Sequence, residues 1–361
     1  MSISSVGSEF LSIDCVHGCL AGGALGDSLG LAYEGLSPQR GFRLLGEPFP
    51  NRLFFGYGLV SDDTEHACLT AVSLINSQAQ INRFRDQLAS SLKVWFLCLP
   101  PATGIATAKA CMRLLLGVNP RFSGVESAGN GPAMRAAVIG CTVEDVDLVR
   151  SLVDVSSNLT HRDRRASDGA FLVAIASNWC RFQRPSDSKS FFDFIEQHGA
   201  VPKDKSFAQK FCLLRQSLEA GEETSDFASA IDMANGVTGF VVPTVLIALH
   251  AWLSNLDSYT DVIVTCIRCG GDTDTVASIA GSLSGAYLGF EQIPSCLGNR
   301  IYDYPFAYSR LLSLSTELVA LGSSRYSERW IGFRWFLMPF RNVVLLLIVL
   351  LHGIRRIAPP Y

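Results

Sequence analysis

The chain has 361 residues, of which 48% are hydrophobic and 17% are charged, and its formal net charge is −3. This length permits one large domain or two ordinary ones, and the apolar composition predicts a sizeable buried core. The small net charge and the lack of an extended basic stripe argue against nucleic acid as a partner.

The eleven cysteines show no repeated paired spacing. Cys266 and Cys269 form a Cys-x-x-Cys pair, but no second pair or nearby histidine pair completes a zinc site. We therefore expect reduced, mostly buried cysteines in a cytoplasmic protein. Residues 1–14 have neither a basic leader nor an apolar core, so they do not resemble a secretory signal.

Residues 14–34 give the first strong helical signal, with glycines at positions 18, 22, 26 and 30. On a helix this spacing forms one ridge, and each glycine costs about 1 kcal/mol relative to alanine unless close packing compensates. The same spacing recurs at Ala277, Gly281, Gly285 and Gly289. We predict that the helix starting near Asp274 packs against the helix ending near Glu34. The alternative is that each ridge merely makes room for bulky neighbours.

Two short segments are dense in oxygen ligands. One is Ser61-Asp62-Asp63-Thr64, and the other runs from Gly270 to Thr275 after a diglycine turn. Carboxylates and hydroxyls are hard ligands that suit Mg²⁺ or Mn²⁺. Helix capping by Ser61 or Asp62 would explain one acid but not two. We therefore predict that the segments meet at a metal centre, where two divalent cations would balance Asp62, Asp63, Asp272 and Asp274.

The turn Gly129-Asn130-Gly131 precedes a predicted helix start. Backbone N–H groups at such a turn can hold a phosphate, although a plain loop is the alternative. His161 lies in a polar stretch further on, where a lone histidine more commonly makes a structural hydrogen bond.

Few segments show the alternation of a half-buried strand, so the predicted fold class is all-α, a compact multi-helix single domain with a C-terminal hydrophobic helix. We place the body at residues 1–322 and a tail at 323–361. Residues 335–351 are apolar apart from Arg341 and Asn342. Seventeen helical residues span about 26 Å, slightly less than a hydrocarbon core of roughly 30 Å. We expect a membrane anchor or interfacial helix that leaves the body cytoplasmic, with packing on the body as the alternative.

The segment Asp272-Thr-Asp274-Thr-Val276 also fits the Asp-x-Asp-x-Thr/Val motif of haloacid-dehalogenase-like phosphohydrolases. In those enzymes the first aspartate attacks phosphorus and follows a hydrophobic parallel strand. Here a Cys-Gly-Gly segment intervenes and alternating strands are lacking, so this alternative is the less favoured one.

Several motifs in order resemble the ADP-ribosylglycohydrolase family over about residues 14–290. They are Gly26-Asp-Ser-Leu-Gly30 with Glu34, Ser61 to Thr64, Gly129-Asn-Gly131 with Ala133-Met-Arg135, His161, and Gly270 to Thr275. The resemblance implies an all-α fold with two Mg²⁺ or Mn²⁺ ions. It implies cleavage of the bond between the anomeric carbon of ADP-ribose and an acceptor, in an ADP-ribosylated protein or a small conjugate.

The resemblance also implies roles for individual residues. The metal ligands would be Ser61, Asp62, Asp63, Asp272, Asp274 and Thr275. Glu34 matches an acid over the metals with a gating or catalytic role, and the general base would be Asp62, Asp63 or Glu34. Gly129, Asn130 and Gly131 match the loop that holds the distal ribose and pyrophosphate, and His161 matches a phosphate-contacting histidine.

The family also includes jellyfish J1 crystallins, which serve as lens proteins. A non-catalytic ADP-ribose binder is therefore the alternative from a different functional class. Four intact acids at the metal positions favour an enzyme.

Overall fold

A computed structural model describes residues 3–182, 187–321 and 335–357. Within these ranges the chain is helical and its only β-structure is isolated bridges, so the all-α prediction is confirmed. The α-helices are α1 (Ile3–Gly30), α2 (Pro38–Leu45), α3 (Asp62–Ser77), α4 (Ile81–Leu97), α5 (Ile105–Leu115), α6 (Ala137–Thr142), α7 (Val146–Thr160), α8 (Arg164–Phe182), α9 (Ser188–Gln197), α10 (Lys205–Ala220), α11 (Thr224–Ala230), α12 (Val241–Leu253), α13 (Tyr259–Arg268), α14 (Thr273–Leu288), α15 (Ser295–Gly298), α16 (Tyr308–Val319) and α17 (Met338–Ile357).

The centre of the fold is the antiparallel pair α1 and α14, which pack through the two predicted ridges. A Cβ atom added to Gly22 would lie less than 3.0 Å from the carbonyl oxygen of Gly281, and one added to Gly18 would meet Gly285 in the same way. The glycines therefore permit direct backbone contact between the helices. The predicted packing of the two ridges is confirmed, and the alternative of bulky neighbours is wrong.

Other helices surround this pair. α3, α6, α8, α12, α13 and α16 pack against one or both central helices. α12 is buried along its whole length, as expected for a long apolar run too short to cross a membrane. Nine of the eleven cysteines are buried, and none is in a disulfide.

The sequence from Thr142 to Asp154 predicts one short helix, and the structure differs from this prediction at both ends. The chain instead ends α6 at Thr142, and Asp145 caps α7 by accepting hydrogen bonds from the N–H groups of Asp147 and Leu148. α7 then continues to Thr160 and leaves His161 as its last, non-helical flanking residue. The polar residues after 154 are helical because their apolar neighbours, including Leu159, are buried in the core.

The C-terminal hydrophobic helix is present as α17 and lies on the body. Asn342 donates a hydrogen bond to the carbonyl oxygen of Cys98 (2.7 Å), and Arg341 forms ion pairs with Glu65 and Asp303. Residues 322–334, which contain the predicted boundary between body and tail, lie outside the described residues.

Candidate metal and substrate site

One cavity of about 540 Å³ collects almost all of the predicted site residues. The predicted residues in its wall are Glu34, Asp62, Asp63, Gly129, Asn130, Gly131, His161, Asp272, Asp274 and Thr275. Ser61 lies just behind the wall, where it caps α3: its Oγ accepts a hydrogen bond from the N–H of Asp63 (3.2 Å). The sequence allowed either Ser61 or Asp62 as the N-cap of α3, and in the structure the N-cap is Ser61.

The ridge contact places the acidic segments next to each other. Gly30, near the end of α1, lies against the backbone of Thr273 and Asp274, where an added Cβ would clash. The diglycine turn that precedes α14 has φ values of +67° and +77°, which L side chains rarely adopt. This turn bonds to the chain after Glu34: the N–H of Gly35 donates to the carbonyl oxygen of Gly271 (2.7 Å). The close approach of α1 and α14 thus brings Glu34 and the start of α14 to one cavity.

A tight group of carboxylates lies at the cavity floor. One oxygen from each of Asp27, Asp63 and Asp274 lies within 4.8 Å of the others. Oδ1 of Asp63 and Oδ1 of Asp274 are buried without a hydrogen-bond partner. Buried carboxylate oxygens are costly when unpaired, and a divalent cation would satisfy them. The residues present therefore fit a bound metal ion.

Hydroxyl groups hold the inner carboxylate in place. Oδ2 of Asp63 accepts hydrogen bonds from Ser61 Oγ and from Thr275 Oγ1, each at 3.1 Å. These bonds leave Oδ1 of Asp63 as the atom available to a ligand. The two hydroxyls are those expected among the metal ligands, and here they orient the carboxylate.

Asp27 is a site residue that the sequence analysis did not single out. It lies in the interior of α1, fully buried, and accepts hydrogen bonds from the N–H groups of Ser61 (3.0 Å) and Thr64 (3.1 Å) and from the Thr64 hydroxyl. α1 thereby fixes the N-terminus of α3 from outside that helix. The sequence signal that could have identified Asp27 is its position as an acid among the small and apolar residues between Gly18 and Gly30.

The electrostatics of the floor favour a cation. Burial raises the pKa of Asp27 to about 6, despite the hydrogen bonds that oppose this change. Burial, reinforced by neighbouring carboxylates, raises the pKa of Asp62, Asp63 and Asp274 well above the usual aspartate range. Each shift reports a carboxylate that lacks compensating positive charge.

Asn130 links the glycine turn to the acidic segment. Its Nδ2 donates to Oδ2 of Asp272 (2.7 Å) and lies 3.3 Å from Thr244 Oγ1. The N–H of Asn130 donates to the carbonyl oxygen of Gly239 (3.1 Å). Asn130 was predicted to bind substrate, and the structure shows that its amide also orients a predicted metal ligand.

The two glycines beside Asn130 make room for His161. A Cβ on Gly129 would lie 2.9 Å from His161 Nε2, and one on Gly131 would lie 3.0 Å from His161 Cε1. The turn therefore passes directly over the imidazole edge. A side chain at either position would displace the ring or the turn.

A buried arginine behind His161 is the second site residue that the sequence analysis did not assign. Arg135 Nη2 donates to Thr160 Oγ1 (2.8 Å), which is 2.9 Å from His161 Nδ1. Because this hydroxyl accepts from Arg135, its own hydrogen is free to be donated to Nδ1, an arrangement that favours the tautomer with hydrogen on Nε2. Burial, and then the charge of Arg135, lowers the pKa of His161 to about 3. His161 is thus a neutral donor at the cavity wall.

Arg135 itself contributes positive charge beneath the cavity. Among the described residues no carboxylate lies within ion-pair distance of its guanidinium, which hydrogen-bonds to Ser156, Thr160 and His66. Burial lowers its pKa to about 10, so it remains protonated at neutral pH. A buried cation without an acidic partner favours an anion in the adjacent space.

Glu34 occupies the opposite edge of the cavity. Burial, with a further contribution from Asp272, raises its pKa, and the nearby Arg356 opposes this change. Arg356 also donates a hydrogen bond to the backbone carbonyl of Glu34. Glu34 is therefore an acid with a raised pKa, and its backbone carbonyl is hydrogen-bonded to Arg356 of the C-terminal helix.

The haloacid-dehalogenase-like alternative does not agree with this architecture. Asp272 precedes the first turn of α14 instead of following a parallel strand, and the described ranges contain no strand. That alternative is not retained.

Comparison with known proteins gives a consistent picture. The ADP-ribosylglycohydrolase family model matches residues 11–328. The chain is 27% identical over 324 residues to "ADP-ribosylhydrolase ARH3" of Gallus gallus, covering 77% of this chain and 86% of that protein. It is 26% identical over 330 residues to the protein of the same name in Homo sapiens, covering 78% and 88%. An uncharacterized protein of Archaeoglobus fulgidus is 29% identical over 278 residues, covering 74% of this chain and 86% of that protein.

A solved structure shares the fold. A chain of an "ADP-ribosylglycohydrolase-related protein complex" superposes with a TM-score of 0.63 at 23% identity, covering 86% of this chain and 98% of that chain. The family match, which spans most of the sequence, shows the relationship independently of this fold similarity. The chain belongs to the ADP-ribosylglycohydrolase family.

Proposed function

We propose that this protein is a metal-dependent hydrolase that cleaves the glycosidic bond between ADP-ribose and a protein side chain or small acceptor. Family membership and similarity to ADP-ribosylhydrolases support hydrolysis of ADP-ribose conjugates. The observation that carries the metal dependence is the pair of unpartnered oxygens on Asp63 and Asp274 at the floor of an open cavity. A buried acidic floor without a cation would be strongly destabilising.

The cavity walls differ in charge in a way that suits ADP-ribose. Carboxylates line one side, whereas Gly129 to Gly131, the neutral donor His161 and the buried cation Arg135 form the other side. Backbone and imidazole N–H groups near a buried cation suit a pyrophosphate. The anomeric carbon would then lie toward the acidic floor.

We propose that Asp63, Asp274 and Asp272 hold divalent metal, either Mg²⁺ or Mn²⁺, together with Asp62 and the hydroxyls of Ser61 and Thr275. Two ions are the number that the family resemblance implies. When bound, the metal supplies Lewis-acid polarisation and a lowered pKa of bound water. Asp27 acts through its hydrogen bonds to the start of α3, so it is a positioning residue.

We propose Glu34 as the general base among the three candidate acids. Oδ2 of Asp63 is already occupied by two hydroxyls, and its other oxygen is unpartnered at the floor. Glu34 is half-buried at the cavity edge, and its raised pKa brings it closer to neutral pH, which favours proton transfer. Glu34 would take a proton from the attacking water as the water oxygen bonds to the anomeric carbon. The bond from that carbon to the acceptor breaks, and the acceptor leaves with a proton that Glu34 or solvent supplies.

The discriminating experiment compares Glu34→Gln with Asp63→Asn in the full chain. Release of ADP-ribose from serine-linked and arginine-linked ADP-ribosyl peptides is measured with Mg²⁺, with Mn²⁺ and with a chelator. We expect Glu34→Gln to keep metal-induced thermal stabilisation and to lose roughly 10²–10⁴-fold in turnover. Asp63→Asn should lose both, because it removes a ligand of the metal.

Asp193→Asn, an exposed acid on α9, is the matched control and should change neither property. Full activity in Glu34→Gln would refute its role as base. Full metal-dependent activity in Asp63→Asn would refute the metal site.

A binding protein is the alternative from another functional class. Calorimetry with ADP-ribose and Mg²⁺ separates the two. Tight binding without turnover of any conjugate would replace the proposed enzyme by a binder.

We also propose a cytoplasmic location. The support is the absence of disulfides among the eleven cysteines, all of which the structure describes.

A further inference from the structure

The C-terminal helix α17 has its polar side toward the protein and its apolar side toward solvent. Its inward face includes Arg341, Asn342 and His352, and the last two of these are buried. The large hydrophobic side chains exposed along this segment are Phe336, Phe340, Val343, Val344, Leu346, Leu347, Leu350, Leu351 and Ile354. A helix of a soluble domain normally has the reverse arrangement. The outer face therefore requires an apolar environment that the body does not supply.

Strong polar contacts fix the N-terminal half of α17. Arg341 forms ion pairs with Glu65 and Asp303 and donates to the carbonyl oxygen of Val60 (2.6 Å). Burial alone would lower the pKa of Arg341, but the two carboxylates outweigh burial and raise it. Removal of this arginine from its partners would leave two buried carboxylates uncompensated, which is strongly unfavourable.

The C-terminal half is fixed in the same way. The ring Nε2 of His352 lies 2.9 Å from the carbonyl oxygen of Ala32, and Arg356 Nη2 donates to the same oxygen at 3.0 Å. These polar contacts with the body extend from residue 341 to residue 356, so the axis of α17 runs along the surface of the body. The helix of 20 residues, roughly 30 Å long, exposes its apolar face as one continuous stripe.

The apolar surface continues onto the body. Leu97 and Leu99 are 62% and 77% exposed, and they flank Cys98, whose carbonyl oxygen binds Asn342. The patch therefore combines elements that are distant in sequence. Contiguous exposed apolar surfaces of this kind mark interaction sites.

Charge around the stripe indicates what covers it. α17 contains three arginines and no acidic residue, and Arg341 is already paired with Glu65 and Asp303. At the end of α17, Arg355 is exposed, and Arg40 of α2 donates a hydrogen bond to the carbonyl oxygen of Arg356. A second copy of this chain that docked through its own α17 would bring no acidic side chain, because α17 contains none. Anionic lipid headgroups supply both the apolar medium and the opposite charge.

We propose that α17 is an interfacial helix that binds the protein to an anionic bilayer surface, with its apolar stripe in the lipid and its polar face on the catalytic body. The helix lies in the plane of the membrane, because crossing would break the contacts of Arg341, His352 and Arg356. The tail is thus part of the folded body and a docking surface at the same time. The helix that carries most of this surface lies beyond residue 328, where the family match ends.

Flotation of the full chain with vesicles tests the proposal. One vesicle set is phosphatidylcholine alone, and the other contains about a third phosphatidylserine. We expect binding to the anionic set that weakens in high salt, since the Debye length falls from about 10 Å at 0.1 M to about 3 Å at 1 M. Leu347→Glu with Leu351→Glu should reduce the bound fraction at least tenfold. Leu116→Glu is the matched control, because Leu116 is a strongly exposed leucine (78%) at the end of α5, outside α17.

The outcomes of these measurements distinguish membrane docking from the alternatives. Retained ADP-ribose release by the double variant in solution separates loss of docking from misfolding and from failure of the proposed chemistry. Wild-type protein that does not float with either vesicle set would overturn the proposal. A wild-type dimer that the double variant converts to monomer, without vesicle binding, would assign the stripe to a second copy. Resistance of the vesicle-bound or cell-derived protein to alkaline carbonate extraction would overturn the in-plane arrangement in favour of a span.

Discussion

At the scale of single residues, the hydrogen bond from Arg135 to Thr160 determines what His161 offers to a ligand. The hydroxyl of Thr160 accepts from the guanidinium and faces Nδ1 of the imidazole. This arrangement keeps hydrogen on Nε2 of a neutral ring beside the glycine turn. The proposed substrate contact at His161 therefore depends on Arg135, a side chain that does not itself line the cavity.

Thr160→Val should weaken binding of ADP-ribose, because valine keeps the shape of threonine but removes the hydroxyl between Arg135 and His161. Loss of one hydrogen bond of about 1–1.5 kcal/mol corresponds to roughly a tenfold rise in Kd. Titration calorimetry with ADP-ribose measures the change. Thr160→Ser keeps the hydroxyl and should remain close to wild type, and metal-induced thermal stabilisation should be the same in both variants. Equal Kd values for the two variants would contradict the arrangement.

Single residues also show the limit of sequence interpretation. The acids of the two oxygen-rich segments could be found because carboxylates and hydroxyls cluster along the chain. Asp27 lies within a recognised motif, but its role in holding Ser61 and Thr64 could not be found, since these partners lie more than thirty residues away. Arg135 was part of a recognised motif, but its burial and its link to His161 depend on the packing of α7. A local pattern does not encode such contacts.

At the scale of elements, the ridge between α1 and α14 supports both the core and the site. The same contacts that let Gly22 lie against Gly281 bring Gly30 to the start of α14. Periodicity every four residues predicted this pair directly, because a costly repeat of glycine requires a compensating close contact. Helix ends were less predictable: α7 begins at the Asp145 cap and continues to Thr160, beyond the predicted helix end at Asp154.

Gly22→Ala should destabilise the protein by about 3 kcal/mol or more. The added Cβ would lie less than 3.0 Å from the carbonyl oxygen of Gly281, so the helices would have to separate. The free energy of unfolding from urea titration measures the cost.

The matched control is Gly353→Ala, also a helical glycine, which has nothing within 4 Å of the added Cβ. There the better helix propensity of alanine should leave stability unchanged or raise it by about 1 kcal/mol. Equal effects at the two positions would argue against direct backbone contact between α1 and α14.

At the scale of the whole molecule, α17 connects the apolar surface to the cavity. Arg341 pairs with Glu65 in the first turns of α3, and Arg356 binds the backbone carbonyl of Glu34. From the sequence, residues 335–351 are apolar apart from Arg341 and Asn342, which predicts a membrane anchor or interfacial helix, with packing on the body as the alternative. That choice depends on the partners of the buried polar residues, which are scattered from Ala32 to Asp303.

The acidic floor also gives the whole molecule a pH-dependent stability that metal should reverse. Burial raises the pKa of Asp27 to about 6, and burial with neighbouring carboxylates raises the pKa of Asp63 and Asp274 well above the ordinary aspartate value of 3.8. Without metal, the folded chain therefore holds more protons than the unfolded chain above pH 4. Its stability is greatest at low pH within this window and falls as pH rises through the folded pKa values.

We expect the Tm of chelator-treated protein to fall between pH 5.5 and pH 8, and the stabilisation by added Mg²⁺ or Mn²⁺ to grow over the same range. Each excess proton contributes up to about 1.4 kcal/mol per pH unit, and a bound cation replaces those protons with fixed positive charge. Thermal unfolding at several pH values, with metal and with chelator, measures both trends. Asp274→Asn should flatten the chelator curve and reduce the metal effect, whereas the exposed Asp193→Asn should do neither. A chelator-treated protein whose Tm rises with pH would show that the floor does not require a cation.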